Sequence, residues 1–323
     1  MFSRPHAEEL RNLAPPLDCS AAAPDSGLLR TYLDHYSLRF TTDDGPVHHS
    51  LGVFAGGGEN LAAQYFAASA QGAPRGTVFL LHGYLDHAGI YRHPLGWCLD
   101  RGYAAFIFDM PGHGLSSGEM GGVDNFARYC DALSRALALA DEQRLARPWY
   151  AVGQSTGAAV LMDSVLHHGL MKSHALDGMV LLAPLVRILR HFRSRMAYLL
   201  SGWFVDGTPR LYAESSHDRE FLHFLRHEDD LQSSRIPRSW IGAMFDYGRR
   251  FTAAAPNPAP LTVVQGTGDD TVDWKFNLPA IRGKFPAAKE VLVPGARHHL
   301  VNESPEFRDP VFMALADSLS GSM

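Results

Sequence analysis

Six short apolar runs constrain this chain more than any other feature: "TVFLLHG", "AAFIFD", "WYAVGQ", "GMVLLAP", "LTVVQG" and "KEVLVPG". Each ends near a Gly, Asp, His or Pro, and most are separated by helix-patterned segments such as "VDNFARYCDALSRALALADEQ". A strand that is apolar throughout must be covered on both faces, and in alternation with helices that means a parallel sheet. The expected fold class is α/β, a doubly wound and mostly parallel sheet. Upstream, "HHSLGVFA" and "NLAAQYFAA" predict two strands joined at Gly56, Gly57 and Gly58. Leu28, Leu29, Tyr32, Leu33 and Tyr36 recur at helical spacing and predict a short helix.

One interval breaks the alternation. Leu185, Leu189, Phe192, Met196, Leu199 and Trp203 keep a helical spacing of three and four, which predicts one amphipathic helix. "HDREFLHFLRHEDD" and "PRSWIGAMFDYGRRF" follow as further helices. The expected organisation is an N-terminal arm over 1–25, loose and rich in Pro, Ala and Ser. A first core segment over 26–184, an inserted helical cap over 185–256 and a second core segment over 257–323 follow it.

The 323 residues are 46% hydrophobic and 20% charged, which suits a large buried core. A net charge of −5 argues against a nucleic-acid partner. Cys19, Cys98 and Cys130 are odd in number and lack C-x-x-C spacing, so neither a disulfide framework nor a zinc site is expected. The opening residues hold no apolar stretch of the secretory type, and no run approaches the ~20 residues of a membrane span. A soluble, cytoplasmic protein is the expectation.

The chemistry gathers at the carboxyl ends of the predicted strands. Gly153-Gln154-Ser155-Thr156-Gly157 follows "WYAV" and opens the helix "TGAAVLMDSVLHH". Such a strand–turn–helix elbow strains the nucleophile's backbone, so only small neighbours fit, and Gly153 and Gly157 supply them. Ser155 needs a base. Among 17 histidines, those just after the last strand suit the task, His298 first and His299 second. An orienting carboxylate is expected after "LTVVQG", at Asp269 with Asp270 in reserve, while Asp273 suits a helix cap. Backbone N–H groups of Thr156 and Tyr84, the latter after Gly83, are the expected oxyanion donors. His82 is expected to support that loop.

"LLHGYLDHAGIYRHPLGWCLDRGYAAFIFDMPGHGLSSG", "GQSTG", "QGTGDD" and "GARHH" together resemble the monoglyceride lipase and lysophospholipase branch of the α/β-hydrolase superfamily, over roughly residues 45–320. The resemblance implies an α/β-hydrolase fold and a triad of Ser155, Asp269 and His298. It further implies an oxyanion hole at Tyr84 and Thr156, and no metal or organic cofactor. Gln154 and Thr156 depart from the G-H-S-M-G often found in the family, which bears on the pocket near the acyl group. The expected activity is carboxylester hydrolysis through an acyl-enzyme, on monoacylglycerol- or lysophospholipid-type esters. Gln154, Phe192, Met196 and Trp203 are the expected substrate contacts. Arg187, Arg190, Arg193 and Arg195 suggest transient contact between the cap and a membrane surface. An aminopeptidase, thioesterase or carbon–carbon hydrolase would keep the same triad. A non-catalytic binding protein would have lost part of it.

Overall fold

The computed structural model describes residues 2–42, 45–68, 73–174, 176–200 and 206–320. Eleven strands occur among them: β1 Thr41–Thr42, β2 Gly45–Gly56, β3 Glu59–Ala68, β4 Thr77–Leu81, β5 Ala104–Phe108, β6 Trp149–Gln154, β7 Gly178–Leu182, β8 Gly207–Pro209, β9 Arg235–Pro237, β10 Thr262–Gly266 and β11 Lys289–Val293. Nine form one sheet in the order β1-β2-β3-β5-β4-β6-β7-β10-β11. From β5 to β11 every pairing is parallel, while β2, β3 and β5 pair antiparallel. The β2–β3 hairpin turns at Gly57 and Gly58, with φ of +60° and +77°, as a tight hairpin turn demands.

Side chains alternate across the sheet because successive Cβ atoms point to opposite faces. Along β4, Val78 and Leu80 enter one hydrophobic cluster, and Phe79 and Leu81 enter the other. This double burial explains why the strands read as unbroken apolar runs. The strand order reverses about β4, so the carboxyl ends of β4 and β6 meet at a topological switch point, where α/β sheets form ligand clefts.

Among the described residues eleven α-helices run in chain order as α1 Arg4–Leu13, α2 Gly27–His35, α3 Arg92–Asp100, α4 Phe126–Glu142, α5 Thr156–His167 and α6 Leu170–Ser173, then α7 His191–Leu200, α8 Arg219–His227, α9 Arg238–Ala253, α10 Trp274–Lys284 and α11 Pro305–Ser320. The N-terminal segment is not loose. Phe2, Ala7 and Leu10 are buried, and the Phe2 ring packs edge-on against Tyr32 at 5.1 Å. Leu17 N–H donates to Val53 O, and Val53 N–H donates to Pro15 O, fastening the following stretch to β2. A composition rich in Pro, Ala and Ser hid three well-placed apolar anchors.

The segment between β7 and β10 carries α7, α8, α9 and the β8–β9 ribbon. The expected long helix from Leu185 does not form. Leu185 and Val186 are buried, Ile188 bridges Val272, and Leu189 N–H donates to Thr271 O. These contacts hold the chain extended, and Arg190 at φ +59° delays helix onset to His191. Phe192 (75% exposed) and Met196 (40%) consequently face outward, and Trp203 lies outside the described residues. Arg187 is engaged in a 2.6 Å ion pair with Asp273 and stacks over Phe276. No described helix is long and apolar enough to cross a membrane.

Candidate active site

Ser155 sits between β6 and α5 with φ +52° and ψ −105°, outside the ordinary regions for a non-glycine residue. The surroundings hold it there. Its N–H donates to Leu182 O (2.8 Å), and its carbonyl accepts from Leu185 N–H (3.2 Å), stitching the turn to the end of β7. A Cβ at Gly153 would lie 2.5 Å from Ala158 N, and one at Gly157 would lie 2.3 Å from Leu81 O. Both glycines are therefore steric requirements of the elbow, as the sequence pattern predicts.

Ser155 Oγ lies 3.0 Å from His298 Nε2, and His298 Nδ1 lies 2.8 Å from Asp269 Oδ2. All three side chains are buried. Asp269 is tightly fixed: Oδ1 accepts from the N–H groups of Thr271 and Val272, and Oδ2 accepts from Gln265 Nε2. Burial pushes its pKa up, but the neighbouring His298, with these hydrogen bonds, holds it below the ordinary carboxylate value. Burial likewise depresses the His298 pKa, yet the charge and hydrogen bond of Asp269 outweigh it, leaving the imidazole above its usual value. The serine hydroxyl thus faces a base oriented and strengthened by a carboxylate.

Asp270 is exposed and Asp273 caps α10 by accepting from Phe276 N–H, so neither joins this chain of hydrogen bonds. His299 points elsewhere, with Nε2 3.1 Å from Asp86 Oδ1. Asp86 Oδ2 also accepts from Gly83 N–H and Tyr91 Oη, and the Asp86–His299 hydrogen bond links the loop after β4 to the loop after β11. Sequence reasoning left this pair unassigned, although Asp86 lies in "HGYLDH" and His299 in "GARHH".

Thr156 opens α5, and the first N–H groups of a helix have no partner within it. A Cβ on Gly83 would come 3.6 Å from Ser155 Cβ, so the Gly83–Tyr84 backbone runs against the serine. Tyr84 is braced on two sides, by its hydroxyl donating to Gly121 O (2.8 Å) and by its ring stacking on Trp240 at 3.5 Å. His82 accepts from Met110 N–H at Nε2, so its Nδ1–H donates to Gly83 O (2.8 Å). Burial and the nearby His113 push His82 down to about 3, which keeps it neutral and in this supporting geometry. Gln154 donates from Nε2 to His298 O (2.8 Å), tying the elbow to the histidine loop.

A cavity of about 520 Å³ opens onto Ser155. Its apolar wall comes from Leu185, Ile188, Tyr198, Val272 and the α9 residues Trp240, Ile241, Met244 and Phe245. The face of α7 turned to the cavity carries Ser194, Ala197 and Tyr198, not Phe192 or Met196. Phe192 and Met196, expected as substrate contacts, lie on the other face of that helix, while Tyr198 of the same apolar set lines the cavity. The spacing of Trp240, Ile241, Met244 and Phe245 was the signal to follow instead. Among the described residues, Cys130, Asp163 and His168 bring metal-ligand atoms within 4.8 Å of one another. Both Asp163 oxygens are held by Arg250, whose charge opposes a cation.

The family model Hydrolase_4, described as serine aminopeptidase S33, matches residues 72–305. A monoacylglycerol lipase of Mycolicibacterium smegmatis is 26% identical over 240 residues, covering 71% of this chain and 83% of that protein. Monoglyceride lipase of Rattus norvegicus is 25% identical over 263 residues, covering 79% and 84%. Among solved structures, a soluble variant of Saccharomyces cerevisiae monoglyceride lipase in complex with a substrate analogue shares the fold. Its TM-score is 0.72 at 19% identity, covering 84% of this chain and 95% of that one. Paleococcus ferrophilus monoacylglycerol lipase superposes with a TM-score of 0.66 at 20% identity, covering 82% and 99%.

Proposed function

Because the chain belongs to the Hydrolase_4 family of α/β hydrolases, we propose that it is a serine carboxylester hydrolase acting on lipid-like monoesters through Ser155, His298 and Asp269. The observation that carries this reading is the unbroken hydrogen-bonded chain from Ser155 Oγ through His298 to Asp269, at the base of a mainly apolar cavity. Ser155 Oγ attacks the ester carbonyl as His298 Nε2 takes its proton. The N–H groups of Tyr84 and Thr156 meet the oxyanion. The alcohol departs with the proton from His298, and water attacks the acyl-enzyme by the same route in reverse. Asp269 orients the imidazole throughout.

The mainly apolar space of about 520 Å³ beside Ser155 suits the acyl chain of a monoacylglycerol-type ester. On the outer side of α7, Arg193 and Arg195 stand with the exposed Phe192 and Leu199, which suits transient contact with a membrane surface. The related proteins named as monoglyceride lipases support the ester reading over the peptide bond in the family's description.

A fluorophosphonate probe should label the folded protein at Ser155 and leave Ser155→Ala unlabelled. A panel of p-nitrophenyl esters from acetate to palmitate, with monoolein and lysophosphatidylcholine, should peak at medium chains. Leucine p-nitroanilide should be a poor substrate. Absence of labelling would sink the serine-hydrolase reading, and a strict preference for acetate and butyrate would defeat the lipid-ester assignment.

A further inference from the structure

The cavity wall carries charged side chains that ester hydrolysis alone does not require, Arg210 and Arg238 among them. Arg210 lines the same space as Ser155, between the β8 strand and Tyr212. Its backbone N–H donates to Ser234 O (2.9 Å), continuing the β8–β9 ribbon, so its Cα is fixed. Its guanidinium packs over the Tyr212 ring at 4.6 Å and donates through Nη1 to Gln232 Oε1. These neighbours orient the group without neutralising it. Among the described residues Arg210 forms no salt bridge.

The two carboxylates that act on it at a distance, Asp86 and Asp229, are committed to other partners. Asp86 is taken up by His299, Gly83 N–H and Tyr91 Oη. Asp229 is taken up by His87 Nε2, Tyr36 Oη and Leu231 N–H. Burial lowers the Arg210 pKa from the ordinary guanidinium value, the mark of a cation drawn out of water without a contacting counter-ion. A planar guanidinium offers paired donors that fit a carboxylate or phosphate.

We propose that Arg210 is the anion-recognising group of this cavity, so that the favoured esters carry a carboxylate or phosphate besides the apolar chain. The inference rests on Ser155 being the ester-cleaving nucleophile, and deepens that reading by naming the substrate class. The apolar wall from α9 takes the chain, and Arg210 selects against neutral esters of equal length.

Two matched pairs test it. The first compares p-nitrophenyl hexanoate with mono-p-nitrophenyl adipate, which places a carboxylate on the acyl side. The second compares 1-decanoylglycerol with 1-decanoylglycerol 3-phosphate, which places a phosphate on the alcohol side. The wild-type protein should favour the anionic member of at least one pair by about tenfold or more in kcat/KM, the scale of one charge-assisted hydrogen bond. The pair that shows the preference identifies which anion the site takes. Arg210→Gln should lower kcat/KM for the anionic member far more than for the neutral one and so remove that preference, and Arg210→Lys should keep part of it. The wild-type comparison decides the matter even where Arg210→Gln fails to fold. Neutral esters cleaved as well as anionic ones in both pairs would overturn the inference, as would equal losses on both members in Arg210→Gln. Labelling of Ser155 by fluorophosphonate, run in parallel, separates these outcomes from failure of the hydrolase reading itself.

Discussion

Asp269 governs the protonation of His298, the base of the proposed mechanism. Burial alone lowers the His298 pKa, and the Asp269 charge and hydrogen bond reverse that and raise it above about 6.5. Only neutral His298 can accept the Ser155 proton, so kcat/KM should fall as pH drops through this raised value. In Asp269→Asn the raising influence disappears and burial remains. The acid limb of the pH–rate profile should then move to lower pH, while kcat drops on the order of 10⁴-fold from loss of the correct tautomer. An acid limb left unmoved, measured with a neutral p-nitrophenyl ester, would contradict the assignment. Gly157 makes a second residue-scale case. A methyl there meets Leu81 O at 2.3 Å and the neighbouring backbone at under 3 Å, with no flexible side chain to yield. Gly157→Ala should accumulate as insoluble protein, or melt well below the parent, in thermal denaturation followed by circular dichroism.

At the scale of elements, the strands and the helices α8 and α9 were legible, while the start and the cavity-facing side of α7 were not. Five of the six parallel strands are buried on both faces and β11 forms the partly exposed edge, so the buried five had to be written as apolar runs between turn residues, and the sheet follows from those runs. The same logic made the elbow readable, since Gly153 and Gly157 are demanded by backbone contacts two to three ångströms away. Helix α7 had no such constraint. Its apolar stripe is exposed, and tertiary contacts of Ile188 and Leu189 with the loop after β10 set where the helix starts. A hydrophobic period marks a helix but not which neighbour receives its face. Likewise no local pattern could join Asp86 to His299, which are distant in the chain and meet only because β4 and β11 deliver their loops to one end of the sheet. The α7 correction has a measurable consequence. Replacing Phe192 and Met196 together by Ser should change kcat/KM for p-nitrophenyl hexanoate by less than about twofold. Stability should stay within ~0.5 kcal/mol per site, as for surface substitutions. A tenfold loss on this short soluble ester would restore them to the cavity wall.

Across the whole molecule, the two halves of the site are joined through the segment inserted between β7 and β10. His299 N–H donates to Ser215 O, and the buried carboxylate of Glu303 gathers the rest. It accepts from Arg297 N–H (2.6 Å) beside His298, from His217 N–H (2.6 Å) and Nδ1, from Ser216 Oγ and from Ser304 N–H. Burial favours its neutral form, but the hydrogen bonds from His217 and Arg297 and the nearby imidazole win, so its pKa lies below the ordinary glutamate value. A carboxyl group with a depressed folded-state pKa contributes stability that is present above its unfolded value near 4.3 and lost as pH falls through the lower folded value. Glu303→Gln keeps the shape but removes the charge that all these donors face. The variant should lose on the order of 2–3 kcal/mol at neutral pH, the scale of hydrogen bonds to a charged group. The gap in melting temperature between parent and variant should narrow as pH falls from about 4.3 through the lower folded-state value, where the folded parent becomes protonated too. The kcat for esters should fall with KM little changed, since Arg297 N–H positions the loop that carries His298 and touches no substrate. Melting curves from pH 7 to pH 3 check the first part, and a gap that stays constant with pH would show that Glu303 acts by packing and not by charge.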